Sequence, residues 1–192
     1  AQKKRVPRAS RASVAFQINA IRKLLEAGDR WTRYLNRRLD QVLAWARALA
    51  QGKDPFVRMR GRIVKAYRST LNGSLQPYSL WVPPGYTPRR RWPLYVMLHG
   101  MGCHHRKGLN QMLGTWMGEN DPTTWRVFTR RLPPPKVSPR ALVLAPEAFG
   151  DAFYRHMGEI DVLRAIAEVE RHYAVDPRRI ILVGHSMGGT GV

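Results

Sequence analysis

Hydrophobic positions change their spacing near residue 55. Between Val14 and Gln51 they recur every three or four residues, which predicts helices with one apolar side. The two stripes are interrupted at Gly28-Asp29 and contain Val14, Ile18, Ile21, Leu25, then Leu35, Leu39, Val42, Ala46, Leu49. Gly52 to Pro55 predicts the end of this helical segment. We expect the stripes to pack on the domain that follows; dimerisation and an anionic membrane surface are the alternatives.

Beyond Gly61 the pattern is typical of alternating strands and helices. Arg62 to Leu71 and Pro77 to Val82 flank the tight-turn pair Asn72-Gly73, which predicts a hairpin. Three short apolar runs predict buried parallel strands: Leu94–Leu98, Ala141–Ala145, Ile180–Val183. Glu159 to Tyr173 predicts a helix, whose expected core face is Ile160, Leu163, Ile166, Ala167, Val169. The sequence therefore predicts an α/β fold with a mainly parallel sheet and an N-terminal basic helical extension.

Charge adds a second hypothesis about function. The 192 residues carry 33 Lys and Arg against 13 Asp and Glu, and residues 1–60 alone hold 15 of the bases and 4 of the acids. Residues 1–13 have no apolar period and are expected to form a disordered basic tail. The alternative function is therefore a basic nucleic-acid or anionic-surface binding protein that uses residues 1–60. No zinc-finger or RNP pattern accompanies the charge, so no specific nucleic acid is expected.

A Gly-x-Ser-x-Gly motif carries the chemistry. The strand predicted at Ile180–Val183 runs into Gly184-His185-Ser186-Met187-Gly188, with Gly189 after it. A nucleophile between a strand and a helix sits on a tight, strained turn, so glycine is needed at Gly184 and Gly188, and Gly189 adds a third small residue. The strain lifts the hydroxyl of Ser186 clear of the backbone, where it can attack a carbonyl, and the Met187 N–H faces the developing oxyanion.

A second glycine-containing loop follows the strand predicted at Leu94–Leu98. It reads His99-Gly100-Met101-Gly102. The tight strand-to-helix turn around Ser186 is called a nucleophile elbow. Hydrolases with this elbow take a second oxyanion donor from the loop after an earlier strand, where glycines allow close approach of the backbone. The Met101 N–H is the first candidate, and Gly100 and Gly102 are the others.

The chain resembles the serine hydrolases of the α/β-hydrolase superfamily over residues 61–192. It is similar to the prolyl-oligopeptidase-like (peptidase S9) catalytic domains, the feruloyl esterases and the polyhydroxybutyrate-depolymerase-like esterases. The segments that carry the resemblance are Leu75–Tyr78, Val82–Tyr86, Pro93–Gly100, Ala145-Pro146 and Tyr173–Gly189. The resemblance implies a Ser–His–Asp triad with Ser186 as nucleophile, an oxyanion hole at Met187 and the 100–102 loop, and a small ester or peptide substrate.

The histidines depart from the family pattern. The fold places the acid and the histidine of the triad after the serine, whereas all six histidines precede Ser186. We therefore expect residues 56–192 to be the N-terminal part of a truncated hydrolase domain, preceded by a tail at 1–13 and a helical leader at 14–55. The fragment is expected to have little activity and to expose the strand before Ser186 as an apolar edge.

The remaining candidates are weaker. His99 and Cys103 to His105 suggest a metal cluster, but neighbouring residues rarely converge on one ion, so neither a metal site nor another cofactor is predicted. Glu147, Asp151 and Tyr154 follow a predicted strand and are expected near the substrate cleft. Trp116 and Trp125 are expected in the core or the cleft wall. No apolar run is long enough to span a membrane, and no signal peptide is visible, so localisation stays open between the bacterial cytoplasm and export.

Overall fold

The computed structural model describes residues 8–26, 32–115 and 134–192. Two helices come first, α1 at Arg8–Glu26 and α2 at Thr32–Ala50. The strands are β1 at Gly61–Arg68, β2 at Leu75–Val82, β3 at Trp92–Leu98, β4 at Leu142–Pro146 and β5 at Val175–Gly184. Helix α3 at His105–Met112 follows β3, α4 at Met157–His172 follows β4, and a short 3₁₀ helix at Ser186–Gly191 follows β5.

The five strands form one sheet in the order β1-β2-β4-β3-β5. Strand β2 is antiparallel to both β1 and β4, whereas β3 is parallel to both β4 and β5. In the described part of the chain every strand except β2 therefore runs in the same direction. The predicted fold class, an α/β fold with a mainly parallel sheet and an N-terminal helical extension, is confirmed.

Helix α1 covers the free edge of β1. The Ser13 hydroxyl accepts a hydrogen bond from the Ala66 N–H at 3.0 Å, and the Gln17 amide donates to the Val64 carbonyl at 3.3 Å. Ala66 and Val64 are two residues apart on β1, and their outward polar groups would otherwise have no strand to pair with. The helix thus protects an edge strand, which is a surface prone to unwanted strand pairing.

The buried side of α1 differs from the predicted stripe. Val14 and Ile21 are buried as expected, but Ile18 is 48% exposed and Leu25 is 55% exposed. Ser10, Ser13 and Gln17 are buried in their place, because the helix faces polar backbone as well as apolar side chains. The helix also begins at Arg8, inside the segment that was expected to be a disordered tail.

The apolar residues of the two N-terminal helices belong to the main core. Val14, Ile21 and Leu24 from α1 and Leu35 and Val42 from α2 join one buried cluster with the sheet. Other members of that cluster include Leu80, Leu94, Val96, Leu142, Leu144. The expectation that the stripes pack on the following domain is therefore confirmed for Val14, Ile21, Leu35 and Val42, whereas Leu24 was not among the predicted residues.

Helix α4 packs on the sheet through a face that overlaps the predicted one in part: Val169 is buried and Ile166 packs against the core as expected. Its buried residues are Gly158, Asp161, Val162, Ala165, Val169. Ile160 and Leu163, both predicted in the core, are 38% and 59% exposed. The helix is apolar on two sides, and the side with the smaller residues is the one that contacts the sheet.

Strand β5 is an edge strand in the described sheet, paired on one side with β3. Ile181 and Leu182 are 39% and 37% exposed. The predicted apolar edge before Ser186 is present in the structure.

Candidate active site

Ser186 has a left-handed backbone at the carboxyl end of β5. Its φ is 53°, a value that L-residues rarely adopt, and the 3₁₀ helix starts at the same residue. A non-glycine residue in this region costs of order 1–3 kcal/mol and persists only where the surrounding structure enforces it. The strained strand-to-helix turn that the motif predicts is therefore present.

Two of the three predicted elbow glycines are required by packing. A Cβ on Gly184 would lie 2.0 Å from the Gly188 carbonyl oxygen, and a Cβ on Gly188 would lie 2.0 Å from the Leu98 carbonyl oxygen. Gly189 has nothing within 4 Å of such a Cβ. The close approach of these backbone segments holds the turn, and it needs Gly184 and Gly188 but not Gly189.

The loop after β3 lies directly beside Ser186. The His185 N–H donates to the Leu98 carbonyl at 3.3 Å, which continues the pairing of β5 with β3 into the turn. A Cβ on Gly100 would lie 3.5 Å from the Ser186 Cβ and 3.4 Å from His185 Nδ1. The structure therefore brings together the two loops that the sequence predicted as the halves of one site.

Backbone hydrogen bonds distinguish the three oxyanion candidates in this loop. The Gly102 N–H donates to Asp151 Oδ1 at 2.8 Å, so this amide is already used. The Gly100 carbonyl accepts from the Cys103 N–H at 3.1 Å. In the described part of the chain no hydrogen bond is formed by the Met101 N–H. Since no hydrogen bond of the Gly100 N–H is found in the described part of the chain either, hydrogen bonding argues only against Gly102 and leaves Met101 and Gly100 as the candidates to act with Met187.

The segment after β4 braces the loop at residues 99–102, which holds the candidate oxyanion donors. Tyr154 donates its hydroxyl hydrogen to the His99 carbonyl at 2.8 Å, and Asp151 binds Gly102 as described. Burial raises the pKa of Tyr154, which keeps this phenol protonated and able to donate. The segment has left-handed backbone at Ala148, Phe149, Phe153, Tyr154, His156. Asp151 and Tyr154, which the sequence placed only loosely near a cleft, contact the candidate oxyanion loop itself.

His99 is fully buried between two backbone carbonyls. Its Nδ1 lies 2.9 Å from the Gly100 oxygen and its Nε2 lies 3.1 Å from the Glu147 oxygen. The imidazole thus helps to hold the loop in place.

Polar contacts that sequence reasoning missed join β2 to α3. Ser79 Oγ lies 2.7 Å from His105 Nδ1, and the His105 N–H donates to Glu147 Oε2 at 3.0 Å. Burial lowers the pKa of His105 well below its usual value and raises the pKa of Glu147. His105 is therefore neutral near pH 7. The contacts of His105 with Ser79 and Glu147 fix the start of α3. Only the separation in sequence hid these contacts, since Ser79 lies on β2 and Glu147 follows β4.

A second missed contact lies under α4. Tyr67 donates its hydroxyl hydrogen to Asp161 Oδ1, and the Ala148 N–H donates to Asp161 Oδ2 at 2.7 Å. Burial raises the pKa of Asp161 and of Tyr67. Asp161 therefore anchors the segment after β4, which in turn contacts the oxyanion loop.

None of the six histidines, all within the described residues, forms a hydrogen bond with Ser186. His185 is next to Ser186 in sequence and its ring lies beside Gly100.

No group of three or more metal-ligating side chains is found in the described ranges, which include Cys103 to His105. Trp116 and Trp125 lie outside the described residues. Among the helices that the structure describes, none is long and apolar enough to cross a membrane.

Comparison with known proteins gives partial similarities of fold. No family model matches the chain, and no curated protein matches it. Among solved structures, a thermostable esterase is 25% identical with a TM-score of 0.46, covering 68% of this chain and 36% of its own. A ferulic acid esterase is 15% identical with a TM-score of 0.45, covering 69% and 53%. An S-formylglutathione hydrolase from Agrobacterium tumefaciens is 17% identical with a TM-score of 0.40, covering 68% and 50%.

These structures are esterases and hydrolases by name, and this chain spans between 36% and 53% of their length. The functional argument below depends on the geometry around Ser186 and not on these alignments.

Proposed function

We propose that this chain contains the nucleophile and the oxyanion hole of a serine hydrolase that acts through an acyl-enzyme. The observation that carries the proposal is the left-handed Ser186 held between two glycines whose backbones touch neighbouring carbonyls. A strained backbone at a nucleophilic side chain is typical of sites where the surroundings fix the reacting group. The substrate is a small ester or peptide, cleaved by an esterase or by an S9-type peptidase.

The proposed reaction uses atoms that the two loops bring together. The Ser186 hydroxyl oxygen attacks the substrate carbonyl carbon and its proton passes to a general base, while the carbonyl oxygen gains negative charge. The Met187 N–H and the N–H of Met101 or Gly100 stabilise that charge. Collapse of the tetrahedral intermediate expels the alcohol or amine, which takes a proton, and leaves the acyl group on Ser186. Water then releases the acid.

Residues 1–192 by themselves are proposed to react slowly. A serine hydroxyl without a base is a weak nucleophile, and no histidine of this chain hydrogen-bonds to Ser186. The resemblance implies that the acid and the base come later in chain order. The proposal therefore places them in a segment that would follow residue 192.

The test is covalent labelling with a fluorophosphonate probe. Residues 1–192 and a longer chain, extended downstream by the native coding sequence, are compared with matched Ser186→Ala variants. We expect rapid labelling of the longer chain only, lost in its Ser186→Ala variant. Labelling of a residue other than Ser186, or no labelling of a folded longer chain, would contradict the proposal.

The bond type requires a second assay. The longer chain is tested in parallel on a p-nitrophenyl ester and on short chromogenic peptides. Turnover of the ester alone assigns an esterase, and turnover of the peptides assigns a peptidase; both must disappear in Ser186→Ala.

A further inference from the structure

A cleft of about 1090 Å³ lies between α1, the turn that joins β1 to β2, and the start of α3. Gly102 is part of its wall, so the cleft begins at the loop that borders Ser186. Its volume is in the range of sites that hold small organic molecules. Because α1 forms one side, the N-terminal extension contributes directly to this cavity.

The charge of the wall is strongly positive. Five Lys and Arg side chains line the cleft: Arg22, Lys23, Arg68, Arg106, Lys107. They come from three separate elements of the fold, α1, β1 and α3. Convergence of these cations on one cavity differs from a single solvated basic helix face, and it produces a local field that attracts anions.

The acidic side chain in the wall is already engaged. Glu147 accepts the His105 N–H at 3.0 Å. Lys23 and Lys107 have no ion-pair partner among the described residues. Arg22 is paired with Glu26 at 3.6 Å, so the other four cations and the single Glu147 carboxylate leave the cleft with an excess of positive charge.

Part of the wall is apolar. Phe16 and Leu24 of α1 face this space together with Leu75 and Pro77 of β2. A ligand that contacted the whole cleft would bury a hydrophobic body against these side chains while its anionic groups met the cations.

We propose that this cleft binds an organic anion, a molecule with an apolar body that carries a carboxylate or a phosphate group. Binding uses Lys23 and Lys107 as the principal cations and does not require Ser186 to react. Where the chain acts as a hydrolase, the cleft is a place for an anionic group of the substrate, since its wall at Gly102 adjoins the oxyanion loop.

The test measures binding of small aromatic anions to residues 1–192 by calorimetry at low ionic strength. Phenyl phosphate and benzoate are the two anionic probes, and phenol is the uncharged comparison. The cleft variant is Lys23→Gln with Lys107→Gln. The matched control is Lys53→Gln with Lys136→Gln, which removes the same charge from two exposed lysines outside the cleft.

We expect saturable binding of at least one anion and weaker binding of phenol. The affinity should fall about tenfold in the cleft variant and stay within about twofold in the control, since tenfold corresponds to about 1.4 kcal/mol. Preference for phosphate over carboxylate identifies the anionic group. Equal loss in both double variants, or phenol binding as tightly as the anions, overturns the proposal. Ser186→Ala should bind normally, so this result is independent of fluorophosphonate labelling.

Discussion

Lys65 is a buried lysine on β1, and its replacement by methionine should stabilise the protein in a pH-dependent way. The side chain is 1% exposed, and its Nζ lies 5.4 Å from the ring centre of Phe56 and 5.5 Å from that of Tyr173. Burial lowers the pKa of Lys65 from 10.5 to about 8, although Asp54 and Glu168 act in the opposite direction. Burying the ammonium group therefore costs free energy.

The sign of the pH dependence follows from the lowered pKa. Below pH 8 both the folded and the unfolded chain hold the proton, and the full cost of burying the charge is present. Between about pH 8 and 10.5 the folded chain has released the proton while the unfolded chain retains it, so the free energy of unfolding rises with pH. Each unit of pKa difference between the folded and unfolded chain is worth about 1.4 kcal/mol. Across this window the free energy of unfolding should therefore rise by about 3 kcal/mol through Lys65 alone.

The assay is urea unfolding of the wild type, Lys65→Met and the exposed control Lys53→Met at pH 7, 9 and 10. Lys65→Met should exceed the wild type in free energy of unfolding at pH 7, and the difference should shrink by about 2–3 kcal/mol toward pH 10. Lys53→Met should track the wild type at every pH. A difference between Lys65→Met and wild type that is independent of pH would refute the reasoning.

Four further substitutions test the packing described above by urea unfolding. Gly188→Ala should lower the free energy of unfolding by at least about 3 kcal/mol because its Cβ would overlap a backbone carbonyl of β3. Gly189→Ala, the control, should change it by less than about 1 kcal/mol. Similar losses in the two variants would contradict the account of the turn at Ser186. Ser13→Ala should lower the free energy of unfolding by about 1–3 kcal/mol, since it leaves the Ala66 amide without its acceptor. Hydrogen exchange at the Ala66 amide should become faster for the same reason. An unchanged exchange rate would exclude the contact between α1 and the edge of β1. Tyr78→Phe should be neutral or stabilising by about 1 kcal/mol because the buried hydroxyl has no partner in the described structure; a loss of more than about 1 kcal/mol would contradict this.

The elbow was predictable from sequence because its constraint is local. Gly184, Ser186 and Gly188 lie within one turn of chain, and the strand before them is marked by a short apolar run. The physical rule that a nucleophile on a tight strand-to-helix turn needs small neighbours can be applied without knowing the rest of the fold. The alternation of strands and helices likewise indicated the fold class, since hydrophobic period is a property of neighbouring residues.

The contacts around the elbow were not predictable in the same way. Asp151 and Tyr154 hold the oxyanion loop across about 50 residues of sequence, and the engagement of Gly102 by Asp151 is visible only in three dimensions. Sequence reasoning offered the Met101 N–H as the first candidate donor, with Gly100 and Gly102 as the others. The hydrogen bond from the Gly102 N–H to Asp151 argues against Gly102 alone.

The sequence by itself determined the strands, most of the helices and the position of the candidate nucleophile Ser186, but not helix α3 or the start of α1. The tertiary structure decided which side of each helix is buried: α1 buries Ser13 and Gln17 against the edge of β1 while Ile18 is exposed, and α4 buries Ala165 while Leu163 is exposed. The tertiary structure also created the basic cleft from α1, β1 and α3. The reason is physical, since the partners of a side chain come from distant parts of the chain, and unsatisfied backbone at a sheet edge can favour burial of a polar residue over an apolar one.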